Sequence, residues 1–429
     1  MKTRLPIRSM LHGRILCVTS NFPRWAGDST TPFVLHLAQD LQELGWGVDV
    51  LAPHAVGAAV RETIGGVRVE RFRYLWPSSL ETVCYHGGAL INLRKNRANY
   101  FKLPALIASE WLNLVLRLTR GRYDLLHSHW ILPQGFNGIL AAGLLGIPHV
   151  TTVHGGDVFG LQGGLLTKFK RFTLRHADAV TVNSSVTERA VTEIAPNLKE
   201  LHRIPMGVST HVKKTFLTSA ELRKRYRRGN GPLLVFVGRI VEEKGVEDLI
   251  KAVDILLPRF PDISAVIVGE GQDCHKYEAM SETLGVSDRM IFTGWVEPDM
   301  IPAYLAAGDI FVGPSREASD GWVEAQGLTF IEAMVAKTPV IATRVGGIVD
   351  SVRHEETGLL VNERSPKEIA AAVERLSQEP LLADKLRESG YKLAVNEFSR
   401  ASSAQAFSNL FNKVIRLRQR SRVNQRVRR

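Results

Sequence analysis

The feature that most constrains this chain is a rhythm that runs twice. In the first half, short apolar runs read as strands at RILCVTS (14–20), GVDVLAP (47–53), VRVERFRY (67–74), DLLHSHW (124–130), HVTTVHG (149–155), AVTVNSS (179–185) and LHRIP (201–205). Helical patterns lie between several of them, one ending at Gly45, where a C-terminal cap glycine belongs. The rhythm lapses after Pro205 and Gly207, across 204–217, and then restarts. LLVFVGR (233–239), SAVIVGEG (264–271), RMIFTGW (289–295), DIFVGPS (309–315), PVIATRVGG (339–347) and TGLLVN (357–362) form the second series. Strands alternating with helices predict parallel sheets covered on both faces. Two series predict an α/β chain of two doubly wound, Rossmann-like domains, and 429 residues is the length such a pair needs.

Charge narrows the partners. The net charge of +12 is concentrated at the ends, where Lys2, Arg4, Arg8 and Arg14 open the chain and KVIRLRQRSRVNQRVRR (413–429) closes it, with no acid in either stretch. Twelve of the 55 Lys/Arg lie there, and the remaining 43 balance 43 acids. Such tails read as solvated ends or as attraction to an anionic membrane surface. Nucleic acid is disfavoured, because the closing tail has no aromatic residue on which a base could stack. The segment 90–120 interrupts the first series, with basic residues before an amphipathic helix from Pro104. It reads either as a core helix with a solvated loop or as a membrane- or acceptor-facing surface. Cys17, Cys84 and Cys274 are scattered without metal spacing, which predicts reduced cytoplasmic thiols. ILCV is too short for a signal peptide's apolar region, and no run is long enough to span a membrane.

In an open parallel sheet, ligands bind at the carboxyl ends of the strands. That rule selects VGRIVEEKG (237–245), where Arg239 and Lys244 follow Gly238 out of a strand and just precede a helical run, as a diphosphate site would require. VGEG (268–271), with Gly269 and Gly271, reads as a tight turn near a ligand; Cys274 stands where a dinucleotide fingerprint needs a third glycine. EAQGLTFIEAM (324–334) places Glu324 in a loop and Glu332 inside a helix. The amides of Leu328 and Thr329 near the helix start suit a phosphate, and the two carboxylates suit the hydroxyls of a ribose and a second sugar.

The combination of GR…EKG, EAQGLTFIEAM, PVIATRVGGIVD and TGLLV, with NFPR and HGGD upstream, resembles family 4 of the retaining, nucleotide-sugar-dependent glycosyltransferases, which have the GT-B fold. The resemblance covers nearly the whole chain, and Glu324 and Glu332 match the family's Glu-x7-Glu signature. It implies that Arg239 and Lys244 neutralise the donor diphosphate, Glu332 binds the ribose and Glu324 the transferred sugar. Backbone around Gly327, Leu328 and Thr329 would hold sugar and phosphate, and VGEG with the loop at Trp295 would border the base. His154 of HGGD would be the active-site histidine beside the transferred sugar, with Asp157 an acceptor contact. The family's first strand is commonly followed by a glycine pair that admits the donor phosphates or acceptor; here Gly27 is the candidate for that donor contact, but Thr30 and Thr31 follow.

The implied domains are 1–207, binding acceptor; 208–395, binding the nucleotide sugar; 396–416, a helix crossing back to the first domain; and 417–429, a basic disordered tail. The implied function is metal-independent transfer of a hexosyl unit from a UDP- or GDP-linked donor to a glycan or lipid-linked acceptor, with the nucleotide sugar as substrate and no cofactor. The chain has no Asp-x-Asp, the usual seat of a donor metal. The expected location is the cytoplasm, at the inner face of the cell membrane. A same-fold epimerase or phosphorylase is the alternative enzyme, and a nucleic-acid-binding protein the alternative class.

Overall fold

The computed structural model describes residues 12–28, 30–85, 87–160, 163–211, 217–319 and 321–427. Lys2, Arg4 and Arg8 of the basic lead, and residues 212–216 of the expected linker, lie outside them. The chain forms two compact units: Met1–Gly207 with Arg400–Arg429, and Val208–Ser399.

The first unit is built on eight strands: β1 (Gly13–Val18), β2 (Trp46–Pro53), β3 (Arg61–Ile64), β4 (Val67–Phe72), β5 (Leu125–His129), β6 (His149–Val153), β7 (Ala179–Val182) and β8 (Leu201–Arg203). Their order is β3-β4-β2-β1-β5-β6-β7-β8, parallel throughout except for the β3–β4 pair. The sequence reading omits β3. Its signal is Gly65-Gly66, both at positive φ (54° and 86°), the two-residue turn that closes a hairpin. β1, β5, β6 and β7 are buried along most of their length, as central parallel strands must be.

The closing helix, Arg400–Val427, belongs to this unit. Ala404, Phe407, Phe411 and Val414 recur at three- and four-residue spacing and are all buried. Arg400 grips Asp40 on the Pro32–Glu43 helix with two hydrogen bonds of 2.9 and 2.6 Å, and the Trp46 indole N–H donates to Ser408 at 2.9 Å. The helix runs to Val427 where the sequence reading places a disordered tail from 417. No glycine or proline interrupts 400–427.

The second unit holds β9 (Leu233–Val237), β10 (Ser264–Val268), β11 (Met290–Gly294), β12 (Ile310–Gly313), β13 (Val340–Thr343) and β14 (Leu359–Val361). They form one parallel sheet in the order β11-β10-β9-β12-β13-β14. Apolar clusters pack on both faces, one around Leu249, Val253 and Ile267 and the other around Phe311, Phe330 and Ile331. In each sheet the winding reverses beside the first strand, between β1 and β5 and between β9 and β12. Those two switch points are where an open α/β sheet leaves a crevice for ligands.

One carboxyl lies deep in the first unit. Glu110, on the Leu103–Gly121 helix, is fully buried and accepts from the Gln134 and Asn137 amides, each at 2.8 Å. Burial pushes it up from 4.5 to about 7, against those two hydrogen bonds. The folded state therefore keeps a proton that the unfolded chain releases, and stability falls as pH rises from about 4.5 to about 7. Replacing Glu110 with Gln should flatten that fall, a difference on the order of 3 kcal/mol across the interval. Urea unfolding of wild type and variant at pH 5 and pH 7.5 measures it.

Candidate functional site

In the second unit, the β9 exit loop ends in a single turn, Glu242–Lys244, capped by Gly245 in the left-handed region (φ 68°). A Cβ at Gly245 would lie 1.9 Å from the Pro314 carbonyl oxygen, so the glycine lets this turn rest on the β12 exit. Arg316 fastens the two together. Its amide donates to the Glu243 carbonyl at 2.9 Å, and its buried guanidinium lies 3.5 Å from both Glu247 and Asp248. The result is a direct ion pair between Lys244 Nζ and Glu324 Oε2, residues 80 positions apart. Both side chains are mostly shielded from water, at 18% and 14% exposed.

The backbone of Glu324 is pinned from below. Its carbonyl accepts from Gly347 at 2.8 Å, and a Cβ at Gly346 would lie 2.1 Å from that oxygen. Gly327, at φ 74°, then turns the chain into the Leu328–Val335 helix; a Cβ there would meet the Phe330 ring at 2.6 Å. The helix opens without a side-chain cap, so the amides of Leu328 and Thr329 have no intrahelical acceptor. Glu332 lies one turn further in, and desolvation pushes its carboxyl up from 4.5 to about 7.

The remaining expected residues divide. Arg239 leaves the same strand but extends outward, half exposed, 3.5 Å from Glu243. Gly238 donates to the Val268 carbonyl at 3.0 Å. Gly269 and Gly271 are glycine for another reason than a ligand. Added Cβ atoms would meet the carbonyl oxygens of Gly238 and Ile240 at 2.0 and 1.9 Å, so they let the β10 exit lie against the β9 exit. Trp295 is half exposed, and its amide donates to the Glu270 carboxylate at 3.2 Å.

In the first unit, His154 follows β6 beside residues the sequence reading passes over. His129 Nδ1 and His154 Nε2 are 2.8 Å apart, and the His154 ring lies 5.0 Å from Trp130 and 5.1 Å from Phe33. The alternation HSH in β5 was the available signal, since His127 and His129 face the same side of the sheet. Burial pushes His127 and His154 down to about 3 and His129 well below its ordinary value. All three are neutral imidazoles at physiological pH.

Two further expected residues have structural roles of their own. Asp157 is buried, with Oδ2 accepting from Ile131 (2.8 Å) and Oδ1 from His154 and Gly155 (3.2 and 3.1 Å). With both oxygens accepting from backbone amides, it clamps the β5 and β6 exits. Gly27 sits at a positive φ of 86° with no protein atom within 4 Å of an added Cβ, so the space beside it is open. Thr31 meanwhile caps the next helix at φ 51°, a region a glycine enters without cost and a β-branched residue does not. The register also sets Cys17 beside His127, and Cys17, His127 and His129 bring ligand-type atoms within 4.8 Å of one another.

The two units match two halves of one family. Residues 30–207 match the Glycosyl transferase 4-like domain, and residues 218–393 match Glycosyl transferases group 1. The chain belongs to the group 1, family 4 glycosyltransferases of GT-B fold. A GDP-mannose-dependent alpha-(1-6)-phosphatidylinositol monomannoside mannosyltransferase of Mycobacterium tuberculosis is 36% identical over 53% of this chain and 60% of its own. A putative teichuronic acid biosynthesis glycosyltransferase of Bacillus subtilis is 27% identical over 94% of this chain and 98% of its own. The first of these alignments therefore spans about three fifths of the relative. Among solved structures, sucrose-phosphate synthase from Thermosynechococcus elongatus aligns with a TM-score of 0.75 at 21% identity, covering 94% of this chain and all of that one. Anabaena HepE in complex with UDP aligns at 0.71 and 19%, covering 93% and 100%. Both show the fold.

The glycines under Glu324 make a direct test. Gly346→Ala forces a Cβ onto the Glu324 carbonyl at positive φ and should cost about 2 to 3 kcal/mol, seen as a lowered urea midpoint.

Proposed function

We propose that the protein transfers a hexosyl unit from a UDP- or GDP-linked sugar to a glycan or lipid-linked acceptor at the inner face of the cell membrane. One observation carries this reading. Lys244, Glu324, Glu332 and the uncapped 328–335 helix all belong to the β9/β12 switch point, and they offer a cation, two carboxylates and free amides where a nucleotide sugar needs each.

The chemistry follows from charge. Breaking the bond between the anomeric carbon and the phosphate oxygen builds negative charge on the departing diphosphate. Lys244 and the helix amides address that charge in place, donors set in advance stabilise it best, and Arg239 on the same strand exit would turn in to join them. The acceptor oxygen forms the new bond to the anomeric carbon, and its proton passes to an oxygen of the leaving diphosphate. Entry on the face that the diphosphate vacates retains configuration. No acid in these motifs is set up as a covalent nucleophile, and the two cations would do the work a metal does elsewhere. Glu332 accepts the ribose hydroxyls and Glu324 those of the sugar. His154, neutral, suits a hydrogen bond to a hydroxyl and not acid catalysis. The acceptor class is supported by relatives whose names specify a phosphatidylinositol mannoside and teichuronic acid synthesis.

A thermal-shift panel of UDP, GDP, ADP and dTDP, and of the corresponding nucleotide sugars, tests the reading. A nucleotide at 100 times its dissociation constant should stabilise wild type by about 2.7 kcal/mol. Lys244→Ala should lose that shift and lower transfer roughly 10²-fold or more. A shift that survives in Lys244→Ala would refute the phosphate assignment.

A further inference from the structure

Three helices of the first unit lie side by side on one face of its sheet: Leu103–Gly121, Phe136–Leu145 and Gly164–His176. The middle one packs against both neighbours. Their inward residues are ordinary core, such as Leu106, Leu114, Ala141 and Leu174. Their outward residues are apolar too. Leu112, Leu144 and Leu165 are 52%, 67% and 68% exposed, Phe169 and Phe172 lie on the outer side of the third helix, and Phe101 just before the first is 89% exposed. The 136–145 helix, FNGILAAGLL, carries no charge at all. A soluble helix normally turns its polar face outward. Here apolar residues hold much of the outward side of all three, with Lys168, Arg171 and Arg175 among them on the third, and an exposed apolar face of this extent marks an interaction surface.

The charges say which surface. The three helices contain a single acid, Glu110, and it is buried. Arg120, Lys168 and Arg175 stand exposed among the apolar residues. Residues 89–102 lead into the first helix with Arg94, Lys95, Arg97 and Lys102 and no acid. We propose that the outer face of these three helices docks on an anionic lipid bilayer, its leucines and phenylalanines entering the headgroup boundary while the basic residues meet the phosphates. A second copy of the chain fits less well, because a twofold contact would set basic residue against basic residue. No described helix is long and apolar enough to cross the membrane, so the attachment is one of surface only. It also differs from attraction through the terminal tails, since these helices are remote from both in sequence.

Flotation of the full chain with vesicles of phosphatidylcholine, alone or mixed with phosphatidylglycerol, tests the proposal. Wild type should float with the mixed vesicles and be released as salt rises. The double variant Leu112→Glu/Leu144→Glu, at positions exposed enough to leave the fold intact, should lower the partition coefficient roughly tenfold or more. Arg426→Gln/Arg428→Gln/Arg429→Gln should float like wild type. A wild type that does not float, a Leu112→Glu/Leu144→Glu variant that floats unchanged, or loss of flotation only in the tail variant would each overturn it. So would sedimentation showing that the apolar face instead holds a dimer that Leu112→Glu disperses.

Discussion

The site in the second unit depends on one contact, the ion pair of Lys244 with Glu324. Its partners come from different strand exits and meet only because two loops approach to backbone distance. Gly245 removes the side chain that would strike Pro314, and Gly346 the one that would strike Glu324. Arg316, buried with Glu247 and Asp248 beside it, holds the two exits together; a buried guanidinium stripped of these partners would be strongly destabilising. In the free protein the pair leaves neither charge without a partner. A donor offers better partners to both, diphosphate to Lys244 and sugar hydroxyls to Glu324. Part of the binding energy is then spent on parting them, and the intact donor recovers it while a bare nucleotide does not.

The first unit uses the opposite device. Its histidines are stripped of water instead of being paired with charge, and burial keeps His127, His129 and His154 neutral. The 2.8 Å bond between His129 and His154 fixes the orientation of the second ring, and Asp157 fixes its backbone. The arrangement supplies directed hydrogen bonds without a mobile proton.

Much of this was legible in the sequence because periodicity reports burial directly. Each run read as a strand contains one, and the switch-point rule led to Lys244 and Glu324. What stayed hidden has physical reasons. β3 is a short edge strand with exposed residues, and only the Gly65-Gly66 turn betrays it. Gly269 and Gly271 look like ligand-facing glycines, but the backbone they make room for is the protein's own, which spacing cannot tell apart. Asp157 looks like an exposed carboxylate at a strand end, whereas three amides from two loops consume it. His129 and Trp130 close a run, DLLHSHW, that periodicity marks only as a strand, and their neighbour His154 arrives from the next strand. Side-chain chemistry along one segment is readable; the partner arriving from 80 residues away is not.

Calorimetric titration of wild type and Glu324→Gln with UDP and GDP, and with the intact nucleotide sugars, tests the central claim most directly. If Glu324 competes for Lys244, Glu324→Gln should bind the free diphosphate more tightly, by roughly fivefold for a partly shielded pair worth about 1 kcal/mol. The same variant should bind the intact nucleotide sugar more weakly. A Glu324→Gln variant whose affinity for the free diphosphate is unchanged or reduced would contradict the account.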